Sequence, residues 1–140
     1  MPVEMISHLT GAQIDDLHAL YQLEWWTKGR TLEDVRRVVQ HSDIIVAFCE
    51  ADTKRLVAFT RVLTDYVYKA LVFDVIVAAS HRATGLGKQL LDTVVHHPNL
   101  KSVRHIELYC LPELMPFYQQ WDFTAELGTL CLMRRTNERS

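Results

Sequence analysis

Ile76-Val77-Ala78-Ala79-Ser80-His81-Arg82-Ala83-Thr84-Gly85-Leu86-Gly87-Lys88 is the stretch on which the reading of this chain turns. It begins as the end of a Val- and Ile-rich run over residues 70–79, broken only by Asp74, which predicts a central strand covered on both faces. The run passes into a loop holding Arg82, and two glycines then open an amphipathic helix over residues 85–96, with Leu86, Leu90, Leu91, Val94 and Val95 turned inward. Glycine allows a tight turn and a close approach of backbone to ligand. The first N–H groups of a helix have no internal partner and lie at the positive end of its dipole, which suits a phosphate. Arg82 and Lys88 add positive charge beside them. G-x-G-x-x-G is absent and no Gly-Lys-Ser/Thr follows, so neither a dinucleotide fingerprint nor a P-loop is present. On the residues alone, a plain tight turn and a phosphate cradle both stay open.

Upstream, residues 3–8 read as a short strand, and Thr10 with Gln13 has the spacing of a capping box. Ile14, Leu17, Leu20 and Tyr21 follow at helical period towards Trp25-Trp26, and Lys28-Gly29-Arg30 breaks the helix. Thr31 is placed to cap a second helix with the stripe Leu32, Val35, Val38 and Val39. Residues 44–49 and 56–62 read as a hairpin around a polar turn at 51–54. Downstream come a strand over residues 103–110, a short proline-started helix over 116–121 and a closing strand over 124–135. This order predicts one α/β domain over residues 1–140, with a mixed, mostly antiparallel central sheet flanked by about four helices.

Composition narrows the function classes. The chain has 140 residues, 15 Lys+Arg against 17 Asp+Glu, and only 5 Gly and 4 Pro. A chain of that size buries enough surface to need no metal or disulfide staple. The charge balance holds no basic excess for a nucleic-acid backbone. No apolar run reaches the ~20 residues of a membrane span, and the start lacks the pattern of a secretory signal, so a cytoplasmic location and no membrane partner are expected. Cys49, Cys110 and Cys131 are expected to be buried, reduced thiols. The scattered histidines and the lack of C-x-x-C or H-E-x-x-H give no metal site.

Arg82-x-x-Gly85-x-Gly87 after an apolar strand resembles the acyl-CoA signature of the GNAT acetyltransferase superfamily. Phe117-Tyr118-Gln119-Gln120-Trp121-Asp122-Phe123, about thirty residues on, resembles that superfamily's F-Y-x-x-x-G-F element. Trp25-Trp26-x-x-Gly29-Arg30, Phe59-Thr60-Arg61-Val62 and Thr64-Asp65-Tyr66 are similar to a bacterial subgroup of undefined substrate. The resemblance implies acetyl-CoA as co-substrate and a small-molecule amine as acceptor. It further implies that backbone groups of Val75, Ile76 and Val77 pair with the pantetheine arm. The amides of Arg82, Ala83, Thr84, Gly85, Leu86, Gly87 and Lys88 would hold the pyrophosphate. The Tyr118 hydroxyl would lie near the sulfur and protonate the departing thiolate.

Departures from the pattern are Ala79 for a proline, Ala83 and Asp122 for glycines, Leu111 for an asparagine, and Leu71 where some families keep a glutamate base. Asp122 tolerates a left-handed backbone better than most residues. The base is therefore open: Asp74 or Glu107 serves, or water does, and Asp74 reads equally as a structural charge paired with Arg61. Trp25, Trp26, Arg30 and Tyr66 are the candidate acceptor-binding residues: the aromatics attract a cationic amine, and Arg30 binds a carboxylate or phosphate. The alternatives to an N-acetyltransferase are a non-catalytic acyl-CoA-binding module and an interaction domain pairing through a sheet edge. A homodimer is compatible with each.

Overall fold

A computed structural model describes residues 2–138. Its elements run β1 (Val3–Ile6), α1 (Gly11–Gln22), α2 (Leu32–His41), β2 (Ile44–Glu50), β3 (Leu56–Thr64), β4 (Lys69–Val77), α3 (Leu86–Val95), β5 (His105–Leu108) and α4 (Met115–Gln119). The chain divides into two compact units, Met1–Tyr109 and Cys110–Ser140.

The first unit holds one five-stranded sheet in the order β1-β2-β3-β4-β5. Neighbours up to β4 are antiparallel, and β4 with β5 is parallel, the connection running through α3. The expected mixed, mostly antiparallel sheet with four helices is the observed architecture. Local chemistry explains where the helices begin. Thr10 Oγ1 accepts from Gln13 N–H at 3.2 Å while Gln13 Oε1 accepts from Thr10 N–H at 3.0 Å, the reciprocal bonds of a capping box. Thr31 Oγ1 accepts from Asp34 N–H at 3.1 Å and starts α2.

The core lies around β2, β3, α1 and α3, where Leu17, Tyr21, Val35, Phe59, Val62, Leu90, Leu91 and Val94 are buried. The five residues from Leu56 through Thr60 are buried in a row, because α1 and α3 both pack on β3 and cover it from either side. β4 behaves differently. Its residues from Ala70 to Val77 alternate between buried and half-buried, so the expected cover on both faces is complete on one face only.

Two further expectations are corrected. Residues 124–135 form no strand: their backbone bonds are local, such as Leu127 N–H to Ala125 O and Leu130 N–H to Leu127 O. Leu127, Leu130, Leu132 and Met133 are exposed there. Alternating apolar residues specify a strand only when a neighbouring chain takes up the ladder. Of the cysteines only Cys49 is buried; Cys110 and Cys131 are exposed. Both lie in the second unit, outside the sheet that would have buried them.

Candidate active site

The register of β3 with β4 slips in mid-hairpin. Phe59 opposes Ile76 and Arg61 opposes Phe73, so Thr60 alone stands against Asp74 and Val75. This is a β-bulge, which bends the strand and re-aims its side chains. Asp74 absorbs the bend with φ 57, and Thr60 Oγ1 donates to Phe73 O at 2.8 Å across it. Aspartate adopts this left-handed backbone more readily than the Val and Ile around it.

The Asp74 side chain is 5% exposed and surrounded by donors. Its Oδ2 accepts from Arg61 Nε at 2.8 Å, Arg30 Nη1 at 2.8 Å and Tyr21 Oη at 2.9 Å, and its Oδ1 accepts from Arg30 Nη2 at 3.3 Å. Arg30 stacks on Tyr21 and Arg61 on Phe73, with 4.7 and 4.8 Å between guanidinium carbon and ring centroid. Burial by itself would raise the carboxyl pKa, but the hydrogen bonds and charges of Arg30 and Arg61 outweigh it and hold the group below the usual carboxylate range. Burial and the adjacent Asp74 charge push the Tyr21 hydroxyl up, so it stays protonated. A carboxylate held this way is a weak proton acceptor, which counts against Asp74 as general base and favours its reading as a structural charge. The pairing with Arg61 was legible in the sequence. The convergence of Tyr21 and Arg30 on the same carboxylate was not.

The connection from α1 to α2 is fixed on α1 by its own polar groups. Gln22 Nε2 donates to Arg30 O at 2.9 Å, Gly29 N–H donates to Gln22 Oε1 at 3.0 Å, and Thr27 Oγ1 donates to Tyr21 O at 2.8 Å. These bonds present Arg30 to Asp74 and leave Trp25 and Trp26 73% and 40% exposed. Neither tryptophan plugs the core. Glu24 in the same connection accepts from Arg82 Nη2 at 2.5 Å, tying it to the loop before α3. Tyr66 does not join this group. It lies in the turn between β3 and β4, while Asp74 is five residues beyond the first residue of β4, about 16 Å along the strand.

β4 and β5 pair only from Lys69↔His105 to Val72↔Leu108. From Phe73 to Val77 the β5-facing edge of β4 has no strand partner among the described residues. Ala78 N–H donates to Val57 O on the β3 side at 2.8 Å, so strand alternation aims the Val77 and Val75 N–H groups towards the unpaired edge. Arg82 Nε donates to Val77 O at 3.2 Å. Past a single turn of 3-10 helix at Ala79–His81, Ala83 and Gly85 take positive φ of 62 and 87. Gly85 is the N-cap of α3, with no side-chain cap bond, and a Cβ placed on it meets nothing within 4 Å. The start of α3 therefore has no side-chain cap, and the space beside Gly85 is open. Arg82, expected to lend free charge here, is committed to Glu24 and Val77 O.

In the second unit, α4 carries Phe117 and Tyr118, with ring centroids 5.1 Å apart, and Phe123 lies 6.1 Å from Tyr118. Asp122 has φ 66, the left-handed backbone anticipated where the family has glycine. Tyr118 is buried, and burial pushes its hydroxyl up to about 12. Among the described residues the hydroxyl has no hydrogen-bond partner, and no buried side-chain polar atom is left unpartnered, so its oxygen reaches solvent. Burial raises the Cys49 thiol pKa, and local desolvation together with the charge of Glu113 raises that of the exposed Cys110. Among the described residues no cluster of side chains is arranged to hold a metal ion, and no helix is long and apolar enough to cross a membrane.

The sequence model of the Acetyltransferase (GNAT) family matches residues 12–123. This chain belongs to the GNAT family. The chain is 28% identical to GCN5-related N-acetyltransferase 1, chloroplastic, of Arabidopsis thaliana, over 83% of this chain and 58% of that protein. It is 30% identical to Serotonin N-acetyltransferase 2, chloroplastic, of Oryza sativa subsp. japonica, over 84% of this chain and 59% of that protein. It thus spans somewhat under two thirds of the length of these relatives. A crystal structure of a GNAT-family putative acetyltransferase from Xanthomonas campestris pv. campestris superposes with TM-score 0.80 at 31% identity, covering 98% of this chain and 95% of that one.

Proposed function

We propose that this chain is an N-acetyltransferase that moves an acetyl group from acetyl-CoA to a primary amine by direct attack. The observation that carries the reading is the unpaired edge of β4 from Phe73 to Val77, running straight into the uncapped N-terminus of α3 at Gly85. The edge offers backbone donors and acceptors to an extended amide chain, as an added strand would. The α3 amides offer the positive end of a dipole to a pyrophosphate. Residues 75–77 then bind the pantetheine arm and residues 82–88 the phosphates.

Acetyl-CoA, when bound, supplies the acetyl group as a thioester. The amine lone pair forms the new C–N bond as the C–S bond breaks, the amine gives up a proton, and the thiolate leaves. Asp74 already accepts four hydrogen bonds, the longest from Arg30 at 3.3 Å, and Glu107 accepts from Lys69 Nζ at 2.8 Å, so water carries the amine proton away. Tyr118 keeps its proton at neutral pH. Because its pKa lies well above the ~8.5 of a thiol, it steadies the thiolate by hydrogen bonding, and solvent completes the protonation. The raised thiols of Cys49 and Cys110 are poor nucleophiles, which favours direct attack over an acyl-enzyme.

Thermal unfolding with and without acetyl-CoA tests the reading. At a ligand concentration ~100 times its dissociation constant the fold gains about 2.7 kcal/mol, a rise of several degrees. Gly85→Glu, which puts a carboxylate in the open space beside the start of α3, abolishes the rise. A wild-type protein freed of bound CoA that shows no rise refutes the proposal.

A further inference from the structure

The Asp74 cluster is not electrically closed. Two guanidiniums, Arg30 and Arg61, meet one carboxylate and one neutral hydroxyl. On the neighbouring connection and strand, Glu24 is paired with Arg82 at 2.5 Å and Glu107 with Lys69 at 2.8 Å. The donors are uncommitted too. Arg61 spends Nε on Asp74, and neither of its terminal nitrogens has an acceptor among the described residues. Its side chain is only 13% exposed, yet no buried polar atom is left unpartnered, so both nitrogens open onto solvent from a largely desolvated position. The ring of Phe73 fixes the plane of this guanidinium. An excess positive charge with poor access to water is stabilised by an anion more strongly than a fully solvated arginine would be. A planar pair of free N–H groups suits a carboxylate or phosphate that accepts two bonds. Arg61 opposes Phe73, the residue at which the unpaired edge of β4 begins.

We infer that the acceptor amine carries an anionic group, a carboxylate or a phosphate, and that Arg61, with Arg30 behind it, receives that group beside the β4 bulge. The inference rests on the acetyl-transfer reading for its name of acceptor. The anion site itself stands on the charge count and the free donors. Trp25 and Trp26, exposed on the connection that ends at Arg30, supply apolar surface for the rest of such a molecule. Specificity follows from unequal costs: a neutral analogue leaves the excess charge and the Arg61 donors unpaired, whereas an acidic acceptor satisfies both.

Matched acceptors test this. The intact protein with acetyl-CoA is offered tryptophan against tryptophanamide, glutamate against its α-amide, and glucosamine 6-phosphate against glucosamine, with free CoA quantified by chromatography. In at least one pair kcat/KM favours the acidic member by about ten- to a hundredfold, the range for hydrogen bonds to a charged group. The phosphate pair separates a phosphate preference from a carboxylate one. In Arg61→Gln, which retains one donor for Asp74, the ratio falls towards one through the KM of the acidic member. Should that variant fail to fold, titration of the same pairs into CoA-loaded wild-type protein by calorimetry gives the same ratio in affinities. Neutral members that match or exceed their acidic partners in every pair overturn the inference. Acidic members that bind preferentially but are never acetylated keep the anion site and remove the transfer reading. Equal affinities with no turnover overturn both.

Discussion

The bulge in β4 and the loop that follows it handle their polar groups in opposite ways. Around Asp74 the protein turns donors inward on itself, with four hydrogen bonds converging on one buried carboxylate. A few residues on, the amides at the start of α3 have no side-chain cap, and the space over Gly85 is empty. The first arrangement holds the backbone in a shape an unaided strand would not keep; the second leaves binding capacity for something outside the chain. The contrast separates residues that make the site from residues that use it. Arg61 belongs to both groups, one edge of its guanidinium bonded inward and the other open.

The comparison is broken most directly at Asp74. Asp74→Ala leaves Arg30 and Arg61 without their shared counter-charge and puts an ordinary residue at φ 57. Removing one partner of a buried ion pair costs roughly 3–5 kcal/mol. The 31% exposure of the Arg30 side chain lets it turn towards water, which places the loss near the lower end. Tm should fall by on the order of ten degrees. Asp74→Asn tolerates the left-handed backbone and keeps one acceptor, so it should lose less. If the two variants prove equally and only slightly destabilised in chemical denaturation, the cluster does not hold the bulge.

Acid sharpens the same point. The folded-state pKa of Asp74 is below its unfolded value, so its contribution is present above ~pH 4 and is lost as pH falls through the folded pKa. Asp65 shifts in the same direction, through backbone N–H donors at Val67, Lys69 and Tyr68, and loses stability over a similar range. The useful measurement is therefore the stability difference between wild type and Asp74→Asn. It should shrink below ~pH 4. A difference that holds down to pH 2.5 would mean that the charge of Asp74 is not what stabilises the cluster.

How much of this was legible in the sequence follows from how far apart the partners are. The capping box of Thr10 and Gln13 and the N-cap at Thr31 involve residues three apart, and both formed as expected. The strand, loop and helix around Gly85 were likewise set by local apolar pattern and glycine placement. Tyr21 and Arg30 stand 53 and 44 residues from Asp74, and their meeting with it depends on a bulge that no local pattern announces. Residues 124–135 show the opposite failure: the alternation of Leu130, Leu132 and their neighbours is real, but a strand also needs a partner edge. Cys110 and Cys131 are exposed for the same reason, since burial follows from the elements around a residue more than from its own type.

The smallest stability change is expected at Tyr118, where the logic of the open loop recurs in a single atom. Its ring packs on Phe117 and Phe123, but its hydroxyl has no partner among the described residues. Tyr118→Phe keeps that packing and removes a group that bonds to nothing internal, so stability should change by no more than about 0.5 kcal/mol. Turnover should behave otherwise. A hydrogen bond to a developing thiolate is a bond to a charge, and its loss corresponds to about ten- to a hundredfold in kcat, with the dissociation constant of acetyl-CoA nearly unchanged. Because Tyr118 titrates only near pH 12, the kcat profile of the wild type between pH 6 and 9 should carry no ionisation of this residue, and the variant should keep the same profile at lower amplitude. A variant with full turnover would remove the hydroxyl from the reaction. A variant with lowered turnover and a large loss of stability would make Tyr118 a residue that holds its own unit together.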